Sequence, residues 1–170
     1  MSCTLSPVGA VRLPSGQETL STLLWAANGI SRPDGRRTAP TGLNVQDIDI
    51  YVMLETGIYR YDAKAHALLS VKKGDFTRLA GSQKYPQAAP VNLFYVHDQD
   101  RAMRGDARAT SECAGIHTGA IMQNVYLFCA SEKLSCVARR SYDEAALRGC
   151  LGLTKRQSII LAQTVGYPVN

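Results

Sequence analysis

The stretch from Leu23 to Val52 constrains the fold more than any other part of this chain, because it joins two apolar segments through a long polar loop. Apolar residues recur at helical spacing over residues 18–28 and stop at Gly29, which predicts a helix. Alternating apolar residues over 47–54 predict a strand. Loops longer than about 12–15 residues inside a domain are usually functional or disordered. The loop at 29–43 is therefore a candidate functional segment.

The loop and the residues after it concentrate groups that suit a polar, anionic ligand. Guanidinium groups bind phosphate through charge-assisted hydrogen bonds, and hydroxyl and amide groups can orient a polar ring. The same hydroxyl and amide groups are common in turns and caps, so a purely structural role in the loop is the alternative. The candidate binding residues are Arg36, Arg37, Pro40, Thr41, Asn44 and Gln46.

The composition is that of one globular domain rather than a disordered or fibrous chain, with 45% hydrophobic and 19% charged residues over 170 positions. The net charge of +5 would suit an anionic partner, but the basic residues are scattered and Phe and Trp are few, so we expect no nucleic-acid binding. No run approaches the length of a membrane span, and no secretory signal is recognisable. We therefore expect a cytoplasmic protein that binds no membrane.

The five cysteines are an odd number without a C-x-x-C pair, which favours free thiols in a reducing compartment over disulfides or zinc. His97 with Asp98 and Asp100 resembles a metal cluster only loosely, and we expect no metal site. No Ser-His-Asp arrangement, P-loop or G-x-G-x-x-G is recognisable, so no side chain is predicted to be catalytic.

The remaining pattern mixes strands and helices without strict alternation, which predicts an α+β fold with helices around one sheet. Residues 1–17 are predicted to form an irregular arm, and 18–170 one domain. The further predicted elements are a hairpin strand at 58–61, a short strand at 66–71, a short helix at 75–80, a central strand at 90–97, a helix at 113–133, a strand at 134–138, a helix at 142–150 and a strand at 158–166.

The predicted helix at 113–133, capped by Ser111 or Thr110, is apolar on most faces, so it should be buried in the core or in a subunit interface. Its two glycines, Gly115 and Gly119, would allow close approach of another backbone, within the chain or from a partner.

Two further predictions concern single side chains. Gln123 and Asn124 should be buried hydrogen-bonding anchors to a neighbouring loop, and Trp25 should lie in the core.

Five ordered blocks over residues 18–168 resemble the FMN-dependent nitroreductase family, in its short SagB-type dehydrogenase branch. The blocks are LLWAANGISRPDGRRTAPTGLNVQDIDIYV, GIYRYD, APVNLFYVHD, AGIHTGAIMQNVYLFCASEKL and IILAQTVGYP. The resemblance implies a nitroreductase-like α+β fold, a central mostly antiparallel sheet flanked by helices, and an intertwined homodimer with FMN at its interface. It also implies hydride transfer from NADH or NADPH to the flavin, followed by ping-pong reduction of a nitroaromatic or quinone-type acceptor.

Carried over by position, the resemblance implies two groups of FMN-binding residues. Pro40, Thr41, Asn44 and Gln46 match the family pattern P-S-x-x-N-x-Q, with Asn44 at the pyrimidine edge or the ribityl chain. The segment Val137–Arg140 matches the strand end whose backbone meets flavin N5, which adds the following residues to the site: Ala138, Arg139 and Arg140. Because the cofactor supplies the reactive atom, no essential general base is expected.

Two departures from the family pattern leave other functions open. The family opens with R-R-S-x-R-x-F, which binds the FMN phosphate; here that place is SPVGAVRLPSGQ, with Arg12 as its only cation. Arg140 also stands where the family has glycine near N5. The alternatives are a flavin-poor binding or interaction protein of the same fold, and a specialised FMN-dependent dehydrogenase that passes electrons to oxygen.

Overall fold

One antiparallel sheet with helices on both faces forms the framework of the chain. The computed structural model describes residues 17–102, 104–105 and 107–168, so the predicted N-terminal arm lies outside the described residues apart from Gln17. The helices and strands are α1 (Gln17–Asn28), β1 (Ile48–Leu54), β2 (Gly57–Asp62), β3 (Ala67–Lys73), α2 (Lys84–Ala88), β4 (Val91–Asp98), α3 (Ala107–Ser131), β5 (Ser135–Arg139), α4 (Glu144–Leu151) and β6 (Gln157–Gly166). Short 3₁₀ turns lie at Gly42–Asn44 and Thr77–Leu79.

The six strands are ordered β3-β2-β1-β4-β6-β5, and every neighbouring pair is antiparallel. The predicted α+β fold with a mostly antiparallel sheet is therefore confirmed. The central strands β1 and β4 are buried on both faces, which explains why β4 is nearly continuously apolar in sequence. Ile48 pairs with His97, so the start of β1 and the end of β4 lie at the same edge of the sheet.

Each face of the sheet carries its own hydrophobic core. On one face α1 and α3 pack on the central strands, with Leu24, Ile121 and Tyr95 fully buried. On the other face Leu147 of α4 packs against Phe94 and its neighbours. Fully burying one such side chain contributes about 1.5–3 kcal/mol, so these two layers fix the positions of α3 and of the loops at its ends.

Two predicted elements differ from the structure. Helix α3 begins at Ala107, so the prediction that Ser111 or Thr110 caps it is wrong. The residues before Thr110 and Ser111 extend the helix at its N-terminal end, because Ala and Arg are strong helix formers and Arg108 pairs with Glu112 at 2.8 Å. The predicted helix at 75–80 is only the 3₁₀ turn Thr77–Leu79.

Several side chains also differ from prediction. Trp25 is 39% exposed rather than in the core, and its Nε1 donates to Ile30 O at 3.1 Å. Gln123 is exposed, whereas the Asn124 amide does tie α3 to α1 by donating to Ala27 O at 3.3 Å. The described cysteines are free thiols, and burial raises the pKa of Cys129 to about 12, so that thiol is chemically inert.

Candidate functional site

The predicted functional loop is ordered by its own backbone. Ile30 and Arg37 form an isolated antiparallel bridge, and Thr38 N donates to Gly29 O at 2.9 Å. A turn closes this small hairpin, with Gly35 N donating to Arg32 O at 3.1 Å. The hairpin brings arginines that lie several positions apart to the same side of the loop.

Gln46 is the centre of a hydrogen-bond network that holds the segment Thr41–Gln46, called here the Thr41–Gln46 turn. Its Oε1 accepts from Arg37 Nε at 3.0 Å, and its Nε2 donates to Gly35 O at 3.0 Å and to Asn44 Oδ1 at 3.1 Å. Its backbone N–H donates to Thr41 Oγ1 at 3.1 Å. Three other predicted binding residues, Arg37, Thr41 and Asn44, therefore each contact Gln46 before any ligand is considered.

The backbone of this turn is strained. Leu43, Asn44 and Gln46 have φ of 49°, 55° and 53°, a left-handed conformation that is uncommon for residues other than glycine. Such a residue costs on the order of 1–2 kcal/mol, so the surrounding hydrogen bonds must hold it. Strained residues of this kind cluster at ligand-binding sites. Leu43 is also 86% exposed and adds little packing of its own.

A cleft of about 450 Å³ opens beside the turn. Its lining residues are Arg32, Arg36, Arg37, Ala39, Pro40, Thr41, Leu43 and Asn44. Five predicted binding residues thus line one cleft, and Gln46 supports it from behind. Arg32 is a further cation that the sequence did not single out, because only the hairpin brings it to the cleft.

The arginines of the cleft differ in their burial and in the carboxylates near them. Arg36 pairs with Asp34 at 3.2 Å, but both side chains are more than half exposed, so this ion pair is weak. Burial lowers the pKa of Arg37, and the nearby Asp49 carboxylate opposes that effect. Arginine keeps its charge at neutral pH even so. The cleft therefore presents positive charge beside hydroxyl and amide groups, which suits an anionic, polar ligand.

A buried carboxylate lies beneath the turn and touches two imidazoles. Gly42 N donates to His117 Nε2 at 2.8 Å, and His117 Nδ1 lies 2.8 Å from Asp47 Oδ1. The other carboxylate oxygen lies 3.4 Å from His97 Nε2. All three side chains belong to residues no more than 4% exposed. Burial lowers the pKa of His97, with Asp47 opposing that effect.

The second predicted group lies on β5. Arg139 is buried, and its guanidinium donates to Thr164 Oγ1 at 2.9 Å and to Asn92 Oδ1 at 2.8 Å. Burial lowers the pKa of Arg139. The Ala138 N–H is taken by the Tyr126 hydroxyl at 2.8 Å. Arg140 follows the strand and is exposed.

One chain does not bring the two groups together. The Thr41–Gln46 turn contacts α3 at His117, and β5 contacts α3 at Tyr126, nine residues farther along. Nine residues of α-helix span about 14 Å. The sheet gives a similar separation, because β4 and β6 lie between β1 and β5 and three strand spacings are about 14 Å.

Two other kinds of site find no support in the described part of the chain. No group of three His, Cys, Asp or Glu side chains there is placed to hold a metal ion. None of the described helices combines the length and hydropathy that crossing a membrane requires.

Comparisons with known proteins agree on one family. The sequence model of the nitroreductase family matches residues 16–167. A candidate nitroreductase of Methanocaldococcus jannaschii is 25% identical over 161 residues, which cover 89% of this chain and 80% of that protein. The crystal structure of a candidate nitroreductase from Ralstonia eutropha JMP134 superposes with a TM-score of 0.85 at 32% identity, covering 99% of this chain and 80% of the other.

Two more distant structures share the fold. The Escherichia coli microcin synthetase McbBCD complex with truncated pro-MccB17 matches at 21% identity and a TM-score of 0.79, over 96% of this chain and 71% of the other. A candidate nitroreductase from Desulfovibrio desulfuricans, solved with FMN, matches at 20% identity and a TM-score of 0.61, over 99% of this chain and 80% of the other. By its sequence match and by its fold, the chain belongs to the nitroreductase family and is an oxidoreductase.

Proposed function

We propose that this protein is an FMN-dependent NAD(P)H oxidoreductase of the SagB-type branch, which works as a homodimer and reduces nitroaromatic or quinone-type acceptors by a ping-pong reaction. The charged, amide-lined cleft fits the polar and anionic parts of FMN, and a relative of the same fold was solved with FMN. Family membership supports the oxidoreductase chemistry.

The observation that carries this proposal is an exposed face of α3, between the two predicted flavin-binding groups, that the described part of the chain leaves uncovered. Ile116 is 70% exposed and Leu127 is 61% exposed on this helix. Among the residues that the structure describes, a Cβ added at Gly115 or Gly119 would meet no atom within 4 Å. Burying such apolar residues is a common reason for self-association.

A two-fold axis across α3 would complete the site. If the two α3 helices pack antiparallel, the N-terminal half of one faces the C-terminal half of the other. The Thr41–Gln46 turn of one protomer then faces β5 of its partner, although the two groups lie far apart within one chain. Two equivalent flavin sites follow from the same symmetry.

The roles of the chain's own residues follow from their chemistry. The guanidinium groups of Arg32, Arg36 and Arg37 would hold the phosphate, and Thr41 and Asn44 the ribityl chain and the pyrimidine edge. The backbone of Val137–Arg140 would orient the ring at N5. Bound FMN supplies the hydride chemistry, so the protein binds, orients and excludes water without a dedicated general base.

A second candidate is a specialised FMN-dependent dehydrogenase or oxidase. The observation in its favour is the close structural match to the microcin synthetase complex, whose TM-score of 0.79 exceeds the 0.61 of the relative solved with FMN. In that case the protein would oxidise its own substrate and pass the electrons to oxygen, and NAD(P)H would be a poor donor.

The test is flavin titration followed by anaerobic stopped-flow reduction. We expect the purified protein to quench the fluorescence of added FMN, to be reduced by NADH or NADPH, and to be reoxidised rapidly by a nitroaromatic or a quinone. Thr41→Val should weaken FMN binding about tenfold, because one hydrogen bond to the ligand is worth about 1.5 kcal/mol. Arg108→Gln, an exposed change away from the cleft, is the matched control.

Three outcomes would contradict parts of the proposal. A protein that takes up no FMN at all would be the flavin-poor binding protein of this fold. A flavin-loaded protein that NAD(P)H does not reduce would support the second candidate. Equal FMN affinity in Thr41→Val and Arg108→Gln would place the flavin away from the turn.

A further inference from the structure

His117 joins the Thr41–Gln46 turn to the interior of the protein. It lies on α3, and its imidazole bridges the Gly42 N–H and the Asp47 carboxylate, each at 2.8 Å. Both His117 and Asp47 are buried, at 4% and 1% exposure, so water does not compete for these bonds. The imidazole is thus a direct link between the core and the cleft.

Only one protonation state of His117 fits this geometry. A backbone N–H can only donate, so His117 Nε2 must be an unprotonated acceptor for Gly42. The ring proton is then on Nδ1, which donates to Asp47 Oδ1. Adding a proton at Nε2 would set two N–H groups against each other at 2.8 Å, and the bond to Gly42 would be lost.

The turn depends on this bond because its own structure is unfavourable. The residues next to Gly42 include the left-handed Leu43 and Asn44, and Leu43 is almost fully exposed. The Gln46 network holds the far end of the turn, while the His117 bond holds its near end. Losing the near attachment frees the backbone at the segment that lines the cleft.

We propose that His117, oriented by Asp47, is a positioning residue for FMN binding, and that protonation of its imidazole releases the Thr41–Gln46 turn and weakens FMN binding. This inference rests on the proposed function, since it assumes that FMN occupies the cleft beside the turn. It adds a control of that binding by pH, which neither the family nor the cleft alone implies.

The charged and titratable groups near His117 come from the residues before β1 and from the end of β4 and the residues after it. Asp47, just before β1, faces the His117 ring with Oδ1 2.8 Å from Nδ1. Beyond Asp47 lie His97 and Asp98 at the end of β4, and Arg101 just after them. Arg101 pairs with Asp49 at 2.6 Å and donates to Gln46 O at 2.8 Å. Because a guanidinium keeps its charge between pH 5.5 and pH 8, this bond holds the far end of the turn throughout that range.

The experiment compares FMN affinity at pH 8 and pH 5.5 by fluorescence quenching in three proteins. Wild type should bind FMN at least tenfold more weakly at pH 5.5. His117→Leu should bind about tenfold more weakly than wild type at pH 8, because Gly42 loses its acceptor. His117→Gln should recover most of the lost affinity at pH 8. Its affinity should fall less than that of wild type at pH 5.5, because the amide oxygen of the introduced glutamine would accept from Gly42 without titrating.

The control addresses the other groups that titrate in this range. The FMN phosphate itself takes up a proton near pH 6. For each protein we take the ratio of the FMN dissociation constant at pH 5.5 to that at pH 8. The informative quantity is this pH ratio in wild type divided by the pH ratio in His117→Gln. His66→Gln changes another imidazole, one that contacts Ser21 and Tyr61 instead of the turn, and it should keep the wild-type ratio. Equal ratios in wild type and His117→Gln would overturn the inference.

A readout without flavin separates the two proposals. In ¹⁵N-labelled protein free of FMN, the Gly42 amide resonance should shift with pH in wild type and stay fixed in His117→Gln. If wild type binds no FMN at pH 8, the proposed function fails while the Gly42 resonance still shows whether the turn is released. A Gly42 amide that does not respond to pH in wild type overturns the inference even where FMN binds.

Discussion

Arg139 is a buried cation whose hydrogen-bond partners are neutral. Its guanidinium donates to Thr164 and Asn92, and Asn92 in turn donates to Pro86 O at 2.8 Å. These bonds join β5 to β6, β4 and α2. A Cβ at Gly81 would lie 2.9 Å from Arg139 Nη1, so only glycine leaves room for the side chain. The positive charge is thus held in place by a polar network rather than by a carboxylate.

This arrangement predicts that Asn92 contributes more to stability than Arg139. Asn92→Ala removes the acceptor of Arg139 Nη2 and the donor to the Pro86 carbonyl, both of them buried, so we expect the free energy of unfolding to fall by about 2–4 kcal/mol. Arg139→Met removes the charge that burial penalises and should cost about 1 kcal/mol. Urea unfolding followed by circular dichroism measures both. A larger loss in Arg139→Met than in Asn92→Ala would mean that the guanidinium itself stabilises the fold.

At the scale of elements, the sequence predicts the ends of a helix where residues next to those ends determine them. Helix α4 was predicted at 142–150 and runs over Glu144–Leu151, because Asp143 caps its start and Gly152, in the left-handed conformation, ends it. The start of α3 was missed, because serine and threonine are common caps but also fit inside a helix whose first turn is already favourable.

The candidate site likewise combines contacts between residues close in sequence, which could be predicted, with contacts between distant residues, which could not. The candidate residues between Arg36 and Asn44 line one cleft, and the sequence could indicate this because they are close in the chain and the folded loop keeps them together. The link between Asp47 and His117 could not, because 70 positions separate the two side chains and only the packing of α3 on the sheet joins them. Its one trace in the sequence is a polar side chain at the edge of an apolar strand and another inside an apolar helix.

The cap of α4 gives a prediction about a single element. Asp143 Oδ1 accepts from Ala146 N at 3.0 Å, which satisfies one of the free N–H groups at the start of the helix. Asp143→Ala should lower the free energy of unfolding by about 1 kcal/mol, whereas Asp143→Asn should change it by only a few tenths. Thermal unfolding of the three proteins measures the difference. An Asp143→Asn variant as unstable as Asp143→Ala would show that the charge, rather than the cap, matters.

At the scale of the whole molecule, an exposed face and a divided site point to the same assembly. Helix α3 lies over the central strands, yet it leaves Ile116 and Leu127 uncovered on its outer face. The predicted flavin-binding groups contact the two halves of this helix, one at His117 and the other at Tyr126. A partner packed on this face would bury the apolar residues and would complete the site in one step.

The last prediction couples assembly to flavin binding. Ile116→Glu places a carboxylate on the exposed face of α3, where it leaves the monomer's packing intact but opposes an apolar interface. We expect light scattering to show a monomer, circular dichroism to stay that of wild type, and FMN affinity to fall at least tenfold. Val71→Glu changes another partly exposed apolar residue, on the edge strand β3, and should remain a dimer that binds FMN. A monomeric Ile116→Glu protein with undiminished FMN affinity would place the whole site within one chain. An Ile116→Glu protein that stays dimeric would place the interface on another face.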